Sequence, residues 1–510
     1  MDAREQLEAV IAFLKSSAAG EMGQSAVERT IQQRSTDIMR LLLQGFIDSF
    51  GSGEAAEPVV GRSGVEHRQQ RMHTRALEST FGTVSVSRSG YPGDGLESLH
   101  PLDGRLNLPP ELYSHELQRQ VVQEVSKGSF EEAIHSVAGR TKGEMPKRQA
   151  RESVIRAAQD FETFYAQRTA QAAEAGAGSA VVVLSTDGKG VPMRFEDLRE
   201  QTRKAAAGKP RHKLKGRRSK GEKRHRKRMA TVAVVYTVDR FVRTPEQVIE
   251  ECARAQKDAA QRKPRPRPEN KRVWASLEKE AKEVVGQAFE EAQRRDPHQQ
   301  RQWVGVVDGN KPQLGYLRKG ARALGVALTI VLDIVHVREY LWKAGLCFHQ
   351  EGSAELEQWV NRRCLEVLRG RAGSVAGGMR RSATLRNLDP KQRAAVDVCA
   401  RYFRSNARYM HYDRYLAQGL PIASGAVEGA CGHLVKDRME ITGARWGLPT
   451  AEAVLRLRAL RSSGDFDEYW QFHEAQERER NHAQRYANGR VPEIRVPTEL
   501  RHPTHLKAVK

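Results

Sequence analysis

The sequence predicts an α/β fold in which short buried strands end in carboxylates. Residues 181–184 are mostly β-branched and predict a strand that ends at Asp187, where the glycines of the following Gly-Lys-Gly predict a turn. A second short apolar run begins at Trp303, ends at Asp308 and is again followed by glycine. Asp-Gly is also a common hairpin signal, so either segment alone is equally compatible with an ordinary turn.

Length and charge narrow the classes of function. A chain of 510 residues with 39% hydrophobic residues is long enough for two or three domains with cores. The formal net charge of +22 favours a polyanionic partner, either nucleic acid or an anionic membrane. No apolar run approaches the roughly 20 residues that span a bilayer, and the N-terminus lacks a signal-peptide core, so the membrane is the weaker alternative. Five widely spaced cysteines without a Cys-x-x-Cys pair indicate a reducing compartment and no disulfide framework.

Three regions precede the first of these strands. Residues 1–60 predict a helical segment whose apolar stripes are compatible with packing on the rest of the domain or against a partner helix. Residues 61–112 predict a small β element, because polar and apolar residues alternate around a turn at Gly82. Residues 113–170 predict three helices, in which a short helix, a turn and a longer basic helix have the outline of a helix-turn-helix. We therefore expect DNA binding there, although any three-helix bundle gives this pattern.

A basic insert interrupts the strands that follow Asp187. We expect a second strand in the segment VPMRF and a third at residues 229–239. Between them, residues 199–228 contain 15 Lys or Arg and two Glu, which favours a hairpin that follows DNA phosphates over a merely solvated loop. The cations that we expect to contact DNA are Lys189, which precedes the insert, and, within the insert, Arg211, Lys213, Lys215, Arg217, Arg218, Arg224 and Arg226. A proline-rich connector then leads to an amphipathic helix predicted from about Trp274 to Gln293.

Two further segments contribute acidic residues. Residues 327–332 predict a buried strand that ends at Asp333, and His336 follows, a pair that suits either a metal site or a strand-end cap with a packed histidine. After a polar helical stretch, Ser424 is a candidate N-cap for a helix that carries Glu428 in its first turns. The candidate phosphate contacts that follow on this helix are His433, Lys436 and Arg438.

The order of these elements predicts one acidic site. Parallel strands joined by helical crossovers bring their C-terminal ends to one edge of a sheet, so we expect Asp187 and Asp308 to meet there and a closing helix to add Glu428. Three carboxylates repel one another unless cations lie between them, and oxygen ligands of this kind select Mg²⁺ or Mn²⁺. Two such ions about 3.5–4 Å apart serve in-line phosphoryl displacement. With a basic surface, such a site predicts chemistry on nucleic-acid strands.

Four motifs in this order resemble the DDE transposases of bacterial insertion sequences, specifically the ISKra family: STDGKGVPMR, WVGVVDGN, VLDIVHVREYLWKAG and SGAVEGACGHLVKDRM. The resemblance covers roughly residues 61–460 and implies an RNase H-like catalytic core interrupted by an all-α insertion, preceded by a mainly α DNA-binding region. It divides the later chain into a first core part (177–345), a helical insertion (346–420), a closing helix (421–463) and a C-terminal tail (464–510). Paired cysteines, which such families often carry near residues 88–104, are absent here, so this segment departs from the family pattern and gives no support for a zinc ribbon.

The resemblance also implies a cut-and-join reaction. Water attacks a phosphodiester at the end of the element, and the released 3′-hydroxyl then attacks target DNA. Asp187 and Asp308 would hold two Mg²⁺ or Mn²⁺ ions, and Glu428 would hold the second ion and help to orient the nucleophile. A homo-oligomer on double-stranded DNA, in the bacterial cytoplasm with the nucleoid, is implied as well.

Two other classes of protein remain compatible with the sequence. A structure-selective nuclease of the same fold would use the same three carboxylates but would only hydrolyse DNA. A non-catalytic DNA-binding regulator would need neither the metal nor the carboxylates.

Overall fold

The structure, a computed structural model, describes residues 2–93, 95–168, 180–207, 227–253, 265–441 and 443–497. The chain forms two units, one of residues 1–166 and 465–510 and the other of residues 167–464. No helix in these described ranges is long and apolar enough to cross a membrane. The carboxylates singled out in the sequence all lie in the second unit.

The first unit begins with helices α1 (Ala3–Leu14), α2 (Ser17–Gly20) and α3 (Gln24–Asp48). A capping box starts α1, because Asp2 accepts the Glu5 N–H at 2.8 Å while Glu5 accepts the Asp2 N–H at 2.9 Å. None of the α1 residues is buried. The predicted helical segment is therefore confirmed, but a large part of its apolar stripe lies on the surface.

A three-stranded antiparallel sheet follows, with β1 (Arg71–Ser79), β2 (Gly82–Gly93) and β3 (Leu96–Leu99) in that order. The turn at Gly82 is confirmed, since this residue has a φ of +104° and pairs with Ser79 across a two-residue loop. The side chains that build the core beneath this sheet are Ile47, Leu77, Val84, Val86, Leu102 and Leu108. The predicted alternation of apolar residues thus points one face of the sheet at α3.

Five helices follow the small sheet: α4 (Pro101–Leu106), α5 (His115–Val125), α6 (Phe130–Ala138), α7 (Lys147–Ala157) and α8 (Phe161–Gln167). Eight residues, 139–146, separate α6 from α7, whereas a helix-turn-helix uses a turn of about 3–4 residues. The short turn lies instead between α5 and α6, at residues 126–129, where Ser129 caps α6. The three predicted helices are therefore confirmed as α5, α6 and α7, but the connection between α6 and α7 is longer than the turn of a helix-turn-helix.

The second unit begins with β4 (Ala180–Pro192), which contradicts the expected turn after Asp187. Every residue of β4 pairs with antiparallel β5 (Lys227–Asp239), and Asp187 lies opposite Val232 in the middle of the ladder. The segment VPMRF is therefore not a second strand, because its first two residues end β4. Gly190 does not form a turn. It leaves room for the neighbouring strand, because a Cβ at this position would lie 2.8 Å from the Lys227 side chain.

The sheet of the second unit has five strands in the order β6-β5-β4-β7-β8, with β6 (Glu269–Ser276), β7 (Trp303–Val307) and β8 (Leu328–Leu332). The first three strands in this order are antiparallel neighbours, whereas β4, β7 and β8 run parallel. Residues 181–184 are fully buried, and burial of each such side chain stabilises the fold by about 1.5–3 kcal/mol. The expected parallel strands at the two aspartate segments are confirmed.

Helices connect these strands: α9 (Glu200–Ala207) and α10 (Pro245–Ala253) flank β5, while α11 (Ala281–Arg295) and α12 (Lys311–Leu324) flank β7. The predicted helix from about Trp274 was wrong at its start. Trp274 lies in β6, where residues 272–276 are buried beside β5, and α11 begins seven residues later. Buried β-branched and aromatic residues thus favour a strand over the helical pattern.

Eight helices complete the second unit: α13 (Ile334–Gly345), α14 (Ala354–Leu368), α15 (Ala372–Leu385), α16 (Ala394–Asn406), α17 (Tyr412–Ala417), α18 (Gly425–Ala430), α19 (Asp437–Met439) and α20 (Leu448–Ser463). A π-helical turn at Cys431–Lys436 joins α18 to α19. Arg458 of α20 donates to the carbonyls of His433 and Leu434 in that turn. The chain then returns to the first unit with α21 (Phe466–Asn481), within the segment expected as a tail.

Candidate acidic site at the ends of the parallel strands

The register of β4 and β7 brings two aspartates together. Ser185 of β4 lies beside Val306 of parallel β7. Continuing this register by two residues places Asp187 beside Asp308, which directly follows β7. Their closeness has an electrostatic consequence, because the Asp187 charge contributes to a raised pKa of Asp308. Asp187 thus reaches the site from the middle of a long strand, at the level where its shorter parallel neighbour ends.

Asp187 is half-buried and held by two hydrogen bonds. Its Oδ1 accepts the Gly188 N–H at 2.6 Å, and its Oδ2 accepts the Cys431 thiol at 3.3 Å. Burial, together with the Asp187 charge, raises the pKa of Cys431 well above its usual range. The thiol therefore stays protonated and donates to the carboxylate. The sequence gave no reason to select Cys431, although its position three residues after Glu428 puts both on one helix face.

Asp308 is fixed by the turn that follows β7. Its Oδ1 accepts the Asn310 N–H at 2.8 Å, and its backbone carbonyl accepts the Tyr402 hydroxyl of α16 at 2.7 Å. Gly309 has a φ of +88°, and a Cβ there would lie 2.9 Å from Leu332. Glycine is therefore required at this turn, and α16 touches the backbone of the acidic residue.

The environment of Asp308 disfavours its charge. Burial raises the pKa of Asp308 most, and the charges of Asp187 and Asp333 raise it further, while the Asn310 N–H and His336 oppose them. A carboxylate that is crowded by others in this way gains from a neighbouring cation.

Glu428 comes to the same region from the first turns of α18, as expected. Burial raises the pKa of Glu428, and the charges of Asp333 and Asp187 add to this effect. Its Oε1 lies 3.9 Å from His336 Nε2 on α13. Carboxylates from β4, the turn after β7 and α18 therefore share one electrostatic environment.

Asp333 is a structural cap, one of the two roles considered for it. It is fully buried, and its Oδ1 accepts the Val335 N–H at 2.7 Å at the start of α13. Its Oδ2 accepts both the N–H (3.0 Å) and the hydroxyl of Ser424. Ser424 occupies the N-cap position of α18, as expected, but its hydroxyl bonds to Asp333 rather than to a backbone N–H of its own helix. This link ties the end of β8 to the helix that carries Glu428.

Two groups of side chains in the described ranges could hold a metal ion. Asp333, His336 and Glu428 offer ligand atoms within 4.8 Å of one another. The second group, in the first unit, consists of Asp160, His473 and Glu477. In that group Arg480 already pairs with both carboxylates, so a cation is present without a metal. The group that contains Glu428 is therefore the better candidate.

Asp187 and Asp308 do not belong to the group formed by Asp333, His336 and Glu428. Their side-chain oxygens nevertheless accept fewer hydrogen bonds than those of Asp333. Asp333 accepts three hydrogen bonds, whereas one oxygen of Asp308, Oδ2, accepts none within the described part of the chain. Carboxylate oxygens that are not occupied by hydrogen bonds suit a hard divalent cation. Among the described residues, Asp333, His336 and Glu428 are thus the group at this end of the sheet that could hold an ion, with Asp187 and Asp308 as charged neighbours of that group.

The basic residues expected to contact DNA have different positions. Lys189 is half-buried near the site, and Lys436 is exposed. Burial lowers the pKa of half-buried His433. Arg438 is only 3% exposed and stacks 4.8 Å above the Trp446 ring, so its guanidinium is packed inside the protein rather than offered to phosphate. The candidates that lie outside the described residues are Arg211, Lys213, Lys215, Arg217, Arg218, Arg224 and Arg226.

The π-helical turn that follows Glu428 and includes Lys436 also changes the angle expected between these two side chains around the helix axis. An uninterrupted α-helix would place them about 80° apart. The π-helical turn has more residues per turn than an α-helix, so it changes this angle, and π-helical turns are frequent at functional sites. No local pattern in the sequence signals this turn.

Comparison with known proteins does not name a family. No protein-family model matches the sequence, and no curated protein matches it significantly.

Proposed function

We propose that the protein is a DNA transposase that cleaves phosphodiesters at the ends of a mobile element and joins the freed 3′ ends to target DNA. The observation that carries the proposal is the register of β4 and β7, which sets Asp187 beside Asp308 at the C-terminal end of β7. Glu428 completes the acidic group from α18. A five-stranded mixed sheet, with helices α14–α17 between β8 and α18, is compatible with an interrupted RNase H-like core.

The three carboxylates suit divalent cations. Mg²⁺ or Mn²⁺ bound there would supply charge stabilisation for the attacking and the leaving oxygen of a phosphodiester. In this proposal Asp187 and Asp308 would hold the two ions, and Glu428 would hold the second ion and help to orient the nucleophile. The Cys431 thiol orients Asp187, and the Ser424–Asp333 link fixes the helix of Glu428. The protein would act as a homo-oligomer, because two DNA ends have to be joined.

Cleavage of a duplex tests this proposal. The substrate is a duplex with the DNA that flanks the coding sequence, where the proposal expects a terminal repeat, and the reaction is followed in Mg²⁺, in Mn²⁺ and in EDTA. Glu428→Gln is expected to slow single-turnover cleavage about a hundredfold or more, because the uncharged amide cannot replace the carboxylate. Duplex binding should change less than about twofold, since Glu428 does not provide positive charge.

The matched control is Glu339→Gln. Glu339 is an exposed carboxylate on α13 that lies 3.8 Å from His336 but outside the three proposed ligands. Its variant should cleave like wild type. If Glu428→Gln keeps near-normal cleavage, Glu428 does not belong to the site, and Asp333 becomes the first residue to test in its place.

A further inference from the structure

Helix α12 presents an exposed positive face directly after the acidic site. It begins at Lys311, three residues after Asp308, and contains four cations and no acidic residue. The exposed cations are Lys311, Arg318, Lys319 and Arg322. Their spacing puts them on one face of the helix, opposite the buried face of Gln313, Leu314, Leu317 and Ala321. The positive face is therefore turned to solvent along the whole helix.

These four cations have no acidic partner among the residues that the structure describes. None of the ion pairs formed within the described ranges includes any of them, and Arg318 donates only to the Leu314 carbonyl of its own helix at 3.2 Å. Other surface arginines differ: Arg369 pairs with Glu246 and Glu366 at 2.9 and 2.8 Å, and Arg371 with Glu366 at 2.8 Å. An uncompensated row of cations attracts an anionic partner.

Gly315 lies in the middle of this face. Glycine inside a helix is less stable than alanine, so it requires a reason. At Gly320 on the same helix the reason is internal, since a Cβ would lie 2.4 Å from the Phe289 ring. At Gly315 a Cβ would meet nothing within 4 Å, so packing in this part of the chain does not require glycine. A glycine on an open, cationic face allows the backbone of an outside partner to come close.

We propose that this α12 face, formed by Lys311, Gly315, Arg318, Lys319 and Arg322, binds the phosphate backbone of duplex DNA. The inference rests on the proposed function, which supplies DNA as the partner. At about 1.5 Å per residue the row spans about 16 Å, the length of about five phosphates of one strand. Because α12 starts at the turn that carries Asp308, a duplex on this face has its backbone next to the acidic site. The contacts read no bases.

The first test is the salt dependence of duplex binding. Binding of a labelled random-sequence duplex of about 30 base pairs is measured by fluorescence anisotropy in EDTA, so that no cleavage occurs. The double variant Arg318→Ser, Arg322→Ser is expected to flatten the slope of log affinity against log salt by about 1.8, which is about 0.9 per lost phosphate contact. The matched control, Arg369→Ser with Arg371→Ser, removes the same charge from cations with carboxylate partners and should leave the slope unchanged.

The second test adds bulk at the glycine without changing charge. Gly315→Gln is expected to weaken duplex binding about tenfold while the thermal midpoint stays equal or rises, because glutamine favours the helix. Gly286→Gln is the control: Gly286 lies inside α11, where a Cβ would likewise meet nothing within 4 Å. Binding by this variant should match wild type.

The outcomes separate this inference from the proposed function. An unchanged slope in the Arg318, Arg322 variant, or an equal loss in both arginine pairs, would overturn the α12 inference alone, since metal-dependent cleavage is assayed separately. Wild-type binding by Gly315→Gln would do the same. A wild-type chain that binds no duplex would overturn the inference and the proposed function together.

Discussion

Replacing Asp308 with asparagine is expected to abolish DNA cleavage and, at the same time, to stabilise the metal-free protein. Cleavage should fall about a thousandfold or more, because asparagine cannot supply the charge that balances a divalent cation. Asparagine has the shape of aspartate and still accepts the Asn310 N–H. The fold should therefore lose no local hydrogen bond.

The stability gain follows from the raised pKa of Asp308. Burial and the neighbouring charges of Asp187 and Asp333 disfavour the ionised form in the folded state. Because the folded pKa lies above the unfolded value, the contribution of this group to stability is present at low pH and is lost as the pH rises through the folded pKa. The variant should thus unfold at a higher temperature than wild type at pH 8 in EDTA, and at nearly the same temperature at pH 3. A lower midpoint at pH 8, or cleavage close to wild type, would contradict this explanation.

The largest loss of stability is expected for Glu291→Ala. Glu291 of α11 lies between Arg272 of β6, at 2.6 Å, and Arg295, at 2.7 Å, with all three side chains less than 10% exposed. Burial alone would raise the pKa of Glu291, but the charges of the two arginines hold it below its ordinary value. Alanine would leave two buried guanidinium groups without their carboxylate, which costs about 3–5 kcal/mol.

Urea unfolding followed by tryptophan fluorescence measures this loss, since Trp274 lies two residues from Arg272 in β6. The control is Glu290→Ala, an exposed position on the same helix. That variant should change the free energy of unfolding by no more than about 0.5 kcal/mol. A loss below about 1 kcal/mol for Glu291→Ala would show that the two arginines find water or other partners.

Local sequence patterns predicted β4, β5, β7 and β8 of the five-stranded sheet, but they predicted neither β6 nor the point where β4 ends. The apolar runs before Asp187 and Asp308 were sufficient to place β4 and β7. The glycines after Asp187 indicated a turn, yet β4 continues to Pro192 because β5 pairs with its full length. Pairing of this kind depends on residues far away in the sequence, which composition and spacing do not contain.

The supports of the acidic site were beyond prediction for the same reason. Ser424 has the sequence position of a helix cap, but the buried carboxylate of Asp333, 91 residues earlier, takes its hydroxyl. Arg438 lies among basic residues after Glu428, which predicted an exposed side chain, yet its guanidinium is buried against the ring of Trp446. Both outcomes are tertiary contacts that override local preference. The carboxylates themselves could be selected because strand ends and acidic residues are both visible in the sequence.

We propose that Asp187, Asp308 and Glu428 form a site that joins DNA strands. It is tested most directly by incubating the protein with Mg²⁺, a supercoiled target plasmid and a labelled, pre-cut duplex that carries the terminal repeat and ends in a free 3′-hydroxyl. We expect labelled DNA covalently joined to the plasmid with wild type, and none with Asp187→Asn, Asp308→Asn or Glu428→Gln. Shortened labelled fragments without any joined product would contradict the account and would indicate a nuclease that only hydrolyses.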